Sequence, residues 1–112
     1  MRSKYVLNRQ KDFDAVYRFG KSQPSRYVVL LYRKNSLGFS RISFLASKKV
    51  GNSVQRNRAR RLMKEAFRLS GMVISPGYDL VIVARGGISD AAMNDVKQSL
   101  MTVFKKTRGV LM

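Results

Sequence analysis

The chain has 112 residues, enough to bury one modest core, and its 23 Lys and Arg against 6 Asp and Glu give a formal net charge of +17. With 45% hydrophobic residues it is too apolar to stay unfolded, and charge of this size draws polyanions, so nucleic acid is the expected partner. Cysteine and histidine are absent and the acids (Asp12, Asp14, Glu65, Asp79, Asp90 and Asp95) are scattered, which excludes thiol and imidazole catalysis, the usual zinc sites, and any obvious acid–base or metal-binding pair.

No run approaches the roughly 18 apolar residues of a membrane span, and the basic start lacks the apolar stretch of a signal peptide. A cytoplasmic chain with no membrane partner is expected, folded as one domain over residues 1–112 with a basic arm over 1–9. From Lys11 to Phe19 the positions Phe13, Val16, Tyr17 and Gly20 recur at helical spacing, and Gly20 is the expected stop. Pro24 confines any strand over 23–26 to an edge or a bulge. "RYVVLLYR" (26–33) is rich in β-branched and aromatic residues, and "RISFLAS" (41–47) puts Ile42, Phe44 and Ala46 on one face. The turn-like "KNSLGF" between them predicts a hairpin. "DLVIVA" (79–84) is an unbroken apolar run, the pattern of a central strand covered on both faces. A last helix is expected from Ser89 as N-cap, with Met93, Val96, Leu100, Val103 and Phe104 as its buried stripe. The expected order is therefore helix, two or three antiparallel strands, basic helix, strand, helix.

The densest charge lies in "KKVGNSVQRNRARRLMKEAFR" (48–68), with eight cations and one acid, Glu65. Asn52 or Ser53 can cap a helix over 54–70, Asn52 with Gln55 approximating a capping box, and Gly71 ends it. Ala59, Leu62, Met63, Ala66 and Phe67 form a core-facing stripe. Asn57, Arg60, Arg61, Lys64 and Arg68 then occupy the outer arc, flanked by Arg56 and Arg58. A merely solvated helix face interleaves charges of both signs, whereas here only Glu65 offers partners, at Arg61 and Arg68. Lys48 and Lys49 join the same end, where the helix N-terminus offers N–H groups to phosphate. Gly51 there either lets a phosphate approach or is simply a turn residue.

"SKKVGNSVQRNRARRLMKEAFR" closely resembles the signature of the bacterial ribonuclease P protein subunit, whose hallmark is Arg-Asn-Arg, here Arg56, Asn57 and Arg58. "DFDAVYRFGKS" looks like that family's first helix, and "YDLVIVARGGIS" like its last strand. The resemblance implies an α/β fold, an α+β two-layer sandwich with the element order above, and a left-handed crossover joining a parallel strand pair through the basic helix, against the usual right-handed rule. It implies a partner RNA that is itself the catalyst, removing 5′ leaders from precursor tRNA with Mg²⁺ held mainly by the RNA, one protein copy per RNA, and no catalytic residue in this chain. By position, Lys48, Lys49, Gly51, Asn52, Arg56, Asn57, Arg58, Arg60, Arg61, Lys64 and Arg68 would face the catalytic RNA, with an indirect metal contact near Asn57 and no metal site in the isolated chain. A cleft between first helix and sheet would hold the single-stranded leader on Phe13 and Tyr17, where stacking suits a channel that accepts many sequences. The strand position that carries a cleft tyrosine in some relatives is Leu31 here. Tyr32 should face the other way, and Tyr27 shares the parity of Leu31 and could substitute.

Read from periodicity alone, Phe13 is better explained by core packing. Arg26, Arg33, Lys34 and Arg41 are either further cleft charges or ordinary surface. A noncatalytic structural RNA-binding protein, such as a small ribosomal protein, would suit the size and charge equally; a third class, a metal-dependent nuclease acting through its own acids, would have to cleave without RNA.

Overall fold

A strand that is apolar on both faces needs cover above and below and neighbours on both edges, and β4 (Tyr78–Ala84) has them. The computed structural model describes residues 4–112, so the first three residues of the expected arm lie outside the described residues. Around β4 the elements run α1 (Gln10–Phe19), β1 (Lys21–Pro24), β2 (Val28–Lys34), β3 (Arg41–Leu45), α2 (Ser53–Ser70), then, after β4, a 3-10 turn (Ile88–Asp90) and α3 (Met93–Lys105). The sheet order is β1-β2-β4-β3, with β4 antiparallel to β2 and parallel to β3, so β3, α2 and β4 form a βαβ unit of adjacent strands. β1 is an edge strand, one of the two places Pro24 allows, and it runs two residues earlier than the expected 23–26.

The expected hairpin between β2 and β3 does not form, because β4 lies between them. The 35–40 segment docks instead on the approach to β4: Asn35 N–H donates to the Gly77 carbonyl at 2.7 Å, and Ser40 Oγ donates to the Ser75 carbonyl and accepts from Tyr78 N–H. The last helix also starts later than expected. Gly87 at φ +87° turns the chain into the short 3-10 segment, Ile88 is fully buried there, and α3 begins at Met93 after an extended Ala92. Its stripe is as read, with Val96, Leu100, Val103 and Phe104 buried and Met93 half-buried.

Strand alternation divides the core between the two faces of the sheet. Val28, Leu30, Leu80, Ile82, Ile42 and Phe44 point to the side covered by α2 and α3, where Met63, Phe67, Leu100 and Phe104 meet them. Leu31, Val81, Val83 and Leu45 point to the other side, where Leu7, Phe13 and Val16 pack. α1 lies there against β2 and β4. Its end is pressed close to the sheet: a Cβ on Gly20 would stand 2.4 Å from the Val16 carbonyl oxygen and 2.7 Å from that of Tyr32, so the stop is set by lack of room rather than by a left-handed turn. The expected arm is not free from Tyr5 onward. Val6 pairs parallel with Ile42, Leu7 N–H donates to the Ile42 carbonyl and Ile42 N–H to that of Tyr5, and Leu7 is buried. The outer edge of β3 is thereby paired at Ile42.

Candidate nucleic-acid interface

The basic helix is fixed at both ends by local sequence. Asn52 and Gln55 form the expected capping box, each side chain accepting from the other's backbone N–H at 2.9 Å. Gly71 closes the far end in the left-handed conformation at φ +71°. Ala59, Met63 and Ala66 are fully buried, with Leu62 and Phe67 partly so. Gly51 has a specific local task. It sits at φ +143°, and a Cβ there would lie 1.9 Å from Gln55 Oε1, so the glycine makes room for the side chain that closes the box. The box uses the N–H groups of Asn52 and Gln55, leaving those of Ser53 and Val54 open to an anion at the helix start.

On the outer surface Asn57, Arg58, Arg61, Lys64 and Arg68 are exposed and Arg56 and Arg60 partly so, with Lys48 and Lys49 exposed in the turn before the helix. Glu65 pairs with Arg68 and not with Arg61, and the hydrogen bond from that guanidinium holds the carboxyl below its ordinary value. Arg56 donates to Ser53 Oγ at 3.2 Å, and Arg60 donates to Asn57 Oδ1. Arg58 is tethered across the fold, its Nε donating to the Ser89 carbonyl at 2.9 Å, which leaves the terminal nitrogens facing outward. A guanidinium held this way has lost part of its rotamer freedom before any partner arrives. Among the described residues only Arg41 and Arg68 of the cations are in ion pairs, so apart from Arg68 the helix surface is an unneutralised cationic face.

Round the edge of the sheet this face meets a cleft. Val6, Leu7, Asn8, Phe13, the β3 residues Ile42 to Leu45, and Arg60 and Lys64 of α2 enclose a cavity of about 420 Å³. Phe13 is half-buried in its wall, and Leu31 belongs to the apolar cluster beneath that ring. Tyr17, one turn further along α1, is half-exposed, and burial of the rest of its ring pushes its phenol pKa up. Tyr27 does not reach this side. It precedes β2, its N–H donates to Ser99 Oγ on α3 at 3.0 Å, and its ring packs against the core beneath α2 and α3, so strand parity does not extend to it. Tyr32 does face away from the cleft, as its parity requires. The wall formed by Val6 to Asn8 escaped the sequence reading, although the apolar Tyr-Val-Leu run inside a basic segment was a usable sign.

The remaining charges divide. Arg41 is not a free cleft cation: it grips Asp79 through two hydrogen bonds of 2.8 and 2.7 Å and reaches Asp12 at 3.1 Å, joining α1, β3 and β4. These hydrogen bonds, that to Asp79 foremost, hold its pKa above the ordinary value. Arg26 lies over the Tyr27 ring at 5.0 Å, on the α3 side. With Asp12 and Asp79 engaged by Arg41, no group of three or more acids exists among the described residues that could hold a metal ion. Among the described residues no helix is long and apolar enough to cross a membrane.

A family model described as Ribonuclease P matches residues 1–108. The chain is 44% identical over 108 residues to the ribonuclease P protein component of Thermoanaerobacter pseudethanolicus, covering 96% of this chain and 93% of that one. It is 43% identical over 102 residues to the protein of the same name from Clostridioides difficile, covering 90% of each. Among solved structures, the Staphylococcus aureus RNase P protein superposes with a TM-score of 0.81 at 27% identity over 96% of this chain and 99% of that one. The Thermotoga maritima RNase P protein gives 0.78 at 31% identity, covering 93% and 98%. Fold, basic helix and sequence agree that the chain belongs to the ribonuclease P protein family, whose members are the protein component of the endoribonuclease that processes the 5′ ends of tRNA.

Proposed function

We propose that this chain works as a two-sided clamp, docking on the catalytic RNA through α2 and its entry turn while the cleft beside Phe13 grips the 5′ leader of precursor tRNA. The observation that carries this reading is the junction of the two surfaces: Arg60 and Lys64 of the basic helix line the same cavity as Phe13 and β3. A leader in that cavity would have its phosphates beside fixed cations and a base against an aromatic ring, a sequence-tolerant grip. On the docking side, Lys48, Lys49, the open N–H groups of Ser53 and Val54, and Arg56, Asn57, Arg58, Arg61 and Arg68 would meet RNA phosphates. Tyr17 extends the leader side, and Leu31 supports the Phe13 ring from below.

The chemistry belongs to the RNA. Mg²⁺ sits with the RNA in this reading, since the acids of this chain are dispersed or engaged with arginine, and Asn57 touches the ion's surroundings only indirectly. The protein acts by binding. Its fixed cations replace counterions between two polyanions, which lowers the Mg²⁺ concentration that the complex needs. One copy per RNA in the cytoplasm completes the proposal.

Leader removal from precursor tRNA at low Mg²⁺, with RNA alone, protein alone and both together, tests it. The expected result is cleavage at lower Mg²⁺ with both, tighter binding of precursor than of mature tRNA, and no cleavage by protein alone. An unchanged Mg²⁺ requirement together with equal affinity for precursor and mature tRNA would leave only a structural RNA-binding role. Cleavage by protein alone, abolished by single Asp or Glu substitutions, would instead identify a nuclease acting through its own acids.

A further inference from the structure

Phe19 ends α1 with 68% of its surface exposed. Two residues beyond Tyr17, it points roughly opposite to the Phe13 and Tyr17 side of the helix, so it does not belong to the cleft. Its ring is flanked by the guanidinium of Arg18 at 5.7 Å and that of Arg33 at 5.4 Å. Beneath it lies a hollow of about 200 Å³ in which Lys21, Arg33, Lys34 and Arg108 supply four cations and no residue supplies an acid. The sheet is open at this point. β1 starts at Lys21 opposite Tyr32, so Arg33 and Lys34 have β4 on one side and no strand on the other. The close approach at Gly20 presses the helix end onto Tyr32 and fixes Phe19 over this open corner.

We propose that this corner is a second seat for single-stranded RNA, and that it holds the upstream part of the 5′ leader after the strand leaves the Phe13 cleft. The proposal rests on the leader reading given above. An exposed ring adds nothing to the core, and five like charges around it repel one another in the free protein, a cost that a polyanion removes. An aromatic face among cations is the chemistry that holds single strands without regard to sequence.

The source of the strand follows from the path. The cleft ends at Asn8, Phe13 and Ile42, and a second hollow, about 640 Å³, begins at their chain neighbours Arg9, Asp12 and Arg41. There Asp12 and Asp79 are both engaged by Arg41, which leaves Arg9, Lys11, Arg33 and Lys34 without ion-pair partners among the described residues. Arg33 and Lys34 then belong to the Phe19 seat as well. A leader passing through the cleft away from α2's first turn therefore meets cations continuously until it reaches Phe19. The start of α2 follows the end of β3 that pairs with Val83, whereas Arg33 and Lys34 pair with Asp79 and Tyr78 at the opposite end of β4.

The test uses the holoenzyme reconstituted with its RNA, and precursor tRNAs whose leaders have about 4 or about 16 nucleotides, bracketing one single-strand site. Phe19→Ala should weaken binding of the long-leader precursor roughly tenfold and leave the short-leader precursor unchanged, and Phe19→Trp should restore the loss. Phe13→Ala should weaken both. A Phe19→Ala loss that is equal for both leaders, or absent, overturns the second seat even if Phe13 behaves as expected. A null result for Phe13→Ala on both leaders sinks the cleft reading itself, while the length dependence at Phe19 is read separately. If polyglutamate displaces the long leader's advantage as well as oligouridylate does, the corner takes any polyanion and the proposal fails.

Discussion

Gly51 separates two explanations for a glycine in front of the basic helix, and the structure puts magnitudes on them. In Gly51→Ala the new Cβ would enter the space of Gln55 Oε1, 1.9 Å away, at a φ of +143°. The backbone strain is of order 1–3 kcal/mol. Gln55 is flexible enough to move aside, at the loss of its bond to Asn52 N–H, about 0.5–1.5 kcal/mol. The sum, about 1.5–4.5 kcal/mol, is a large part of the 5–15 kcal/mol expected of a small domain, and should lower the urea midpoint by about 1–2 M. In Gln55→Ala the back-bond is already gone, so adding Gly51→Ala costs only the strain, and the two substitutions should fall short of additivity by about 0.5–1.5 kcal/mol. Urea titrations of the wild type, both single variants and the double variant give that coupling directly. Strict additivity, or a Gly51→Ala protein of wild-type stability that binds RNA tenfold more weakly, would refute the packing account and make Gly51 a point of phosphate approach.

Two further outcomes are expected. Arg58→Ala should weaken binding to the catalytic RNA and reduce the slope of log affinity against log salt by about 1, and Arg58→Lys should restore the slope but not the full affinity, because lysine lacks the Nε donor that Ser89 holds; equal affinity for all three proteins in filter binding would show that the tether is idle. Arg41→Ala leaves Asp79, only 5% exposed, with Asn35 as its remaining partner, so unfolding in urea should show a loss of about 3–5 kcal/mol; a change below about 1 kcal/mol would mean that water replaces the guanidinium.

The parts of the fold written in short-range chemistry were legible. Asn52, Gln55 and Gly71 are caps whose partners lie within a few residues, and the stripe from Ala59 to Phe67 follows from helical period alone. Partner choice in the sheet was not. The segment over 35–40 has the composition of a hairpin turn, but β4 gains cover on both edges by entering between β2 and β3, and Ser40 and Asn35 bond to the chain leading into it. Tyr27 was misplaced for a related reason: parity holds inside a strand, and β2 starts one residue later, with Ser99 of α3 capturing the Tyr27 N–H from far along the chain. Ser89 was read as a cap from its own side chain, whereas its carbonyl is occupied by Arg58 and the helix starts beyond it. At the interface, the charge count showed which surface is cationic, but not that Arg41 is consumed internally or that Phe19 stands outside the core.

The central position of β4 also bears on synthesis. β2 and β3 pair with it rather than with each other, and it lies at residues 78–84, beyond α2 in the chain. During translation the basic helix therefore leaves the ribosome before the strand that completes its scaffold, with Ala59, Met63 and Ala66 uncovered and no complete sheet to receive them. Closure depends on contacts distant in sequence, which form late and slowly. Until then the segment is an adhesive cationic stretch in a compartment crowded with RNA, and the insertion of β4 turns it into a surface of fixed shape.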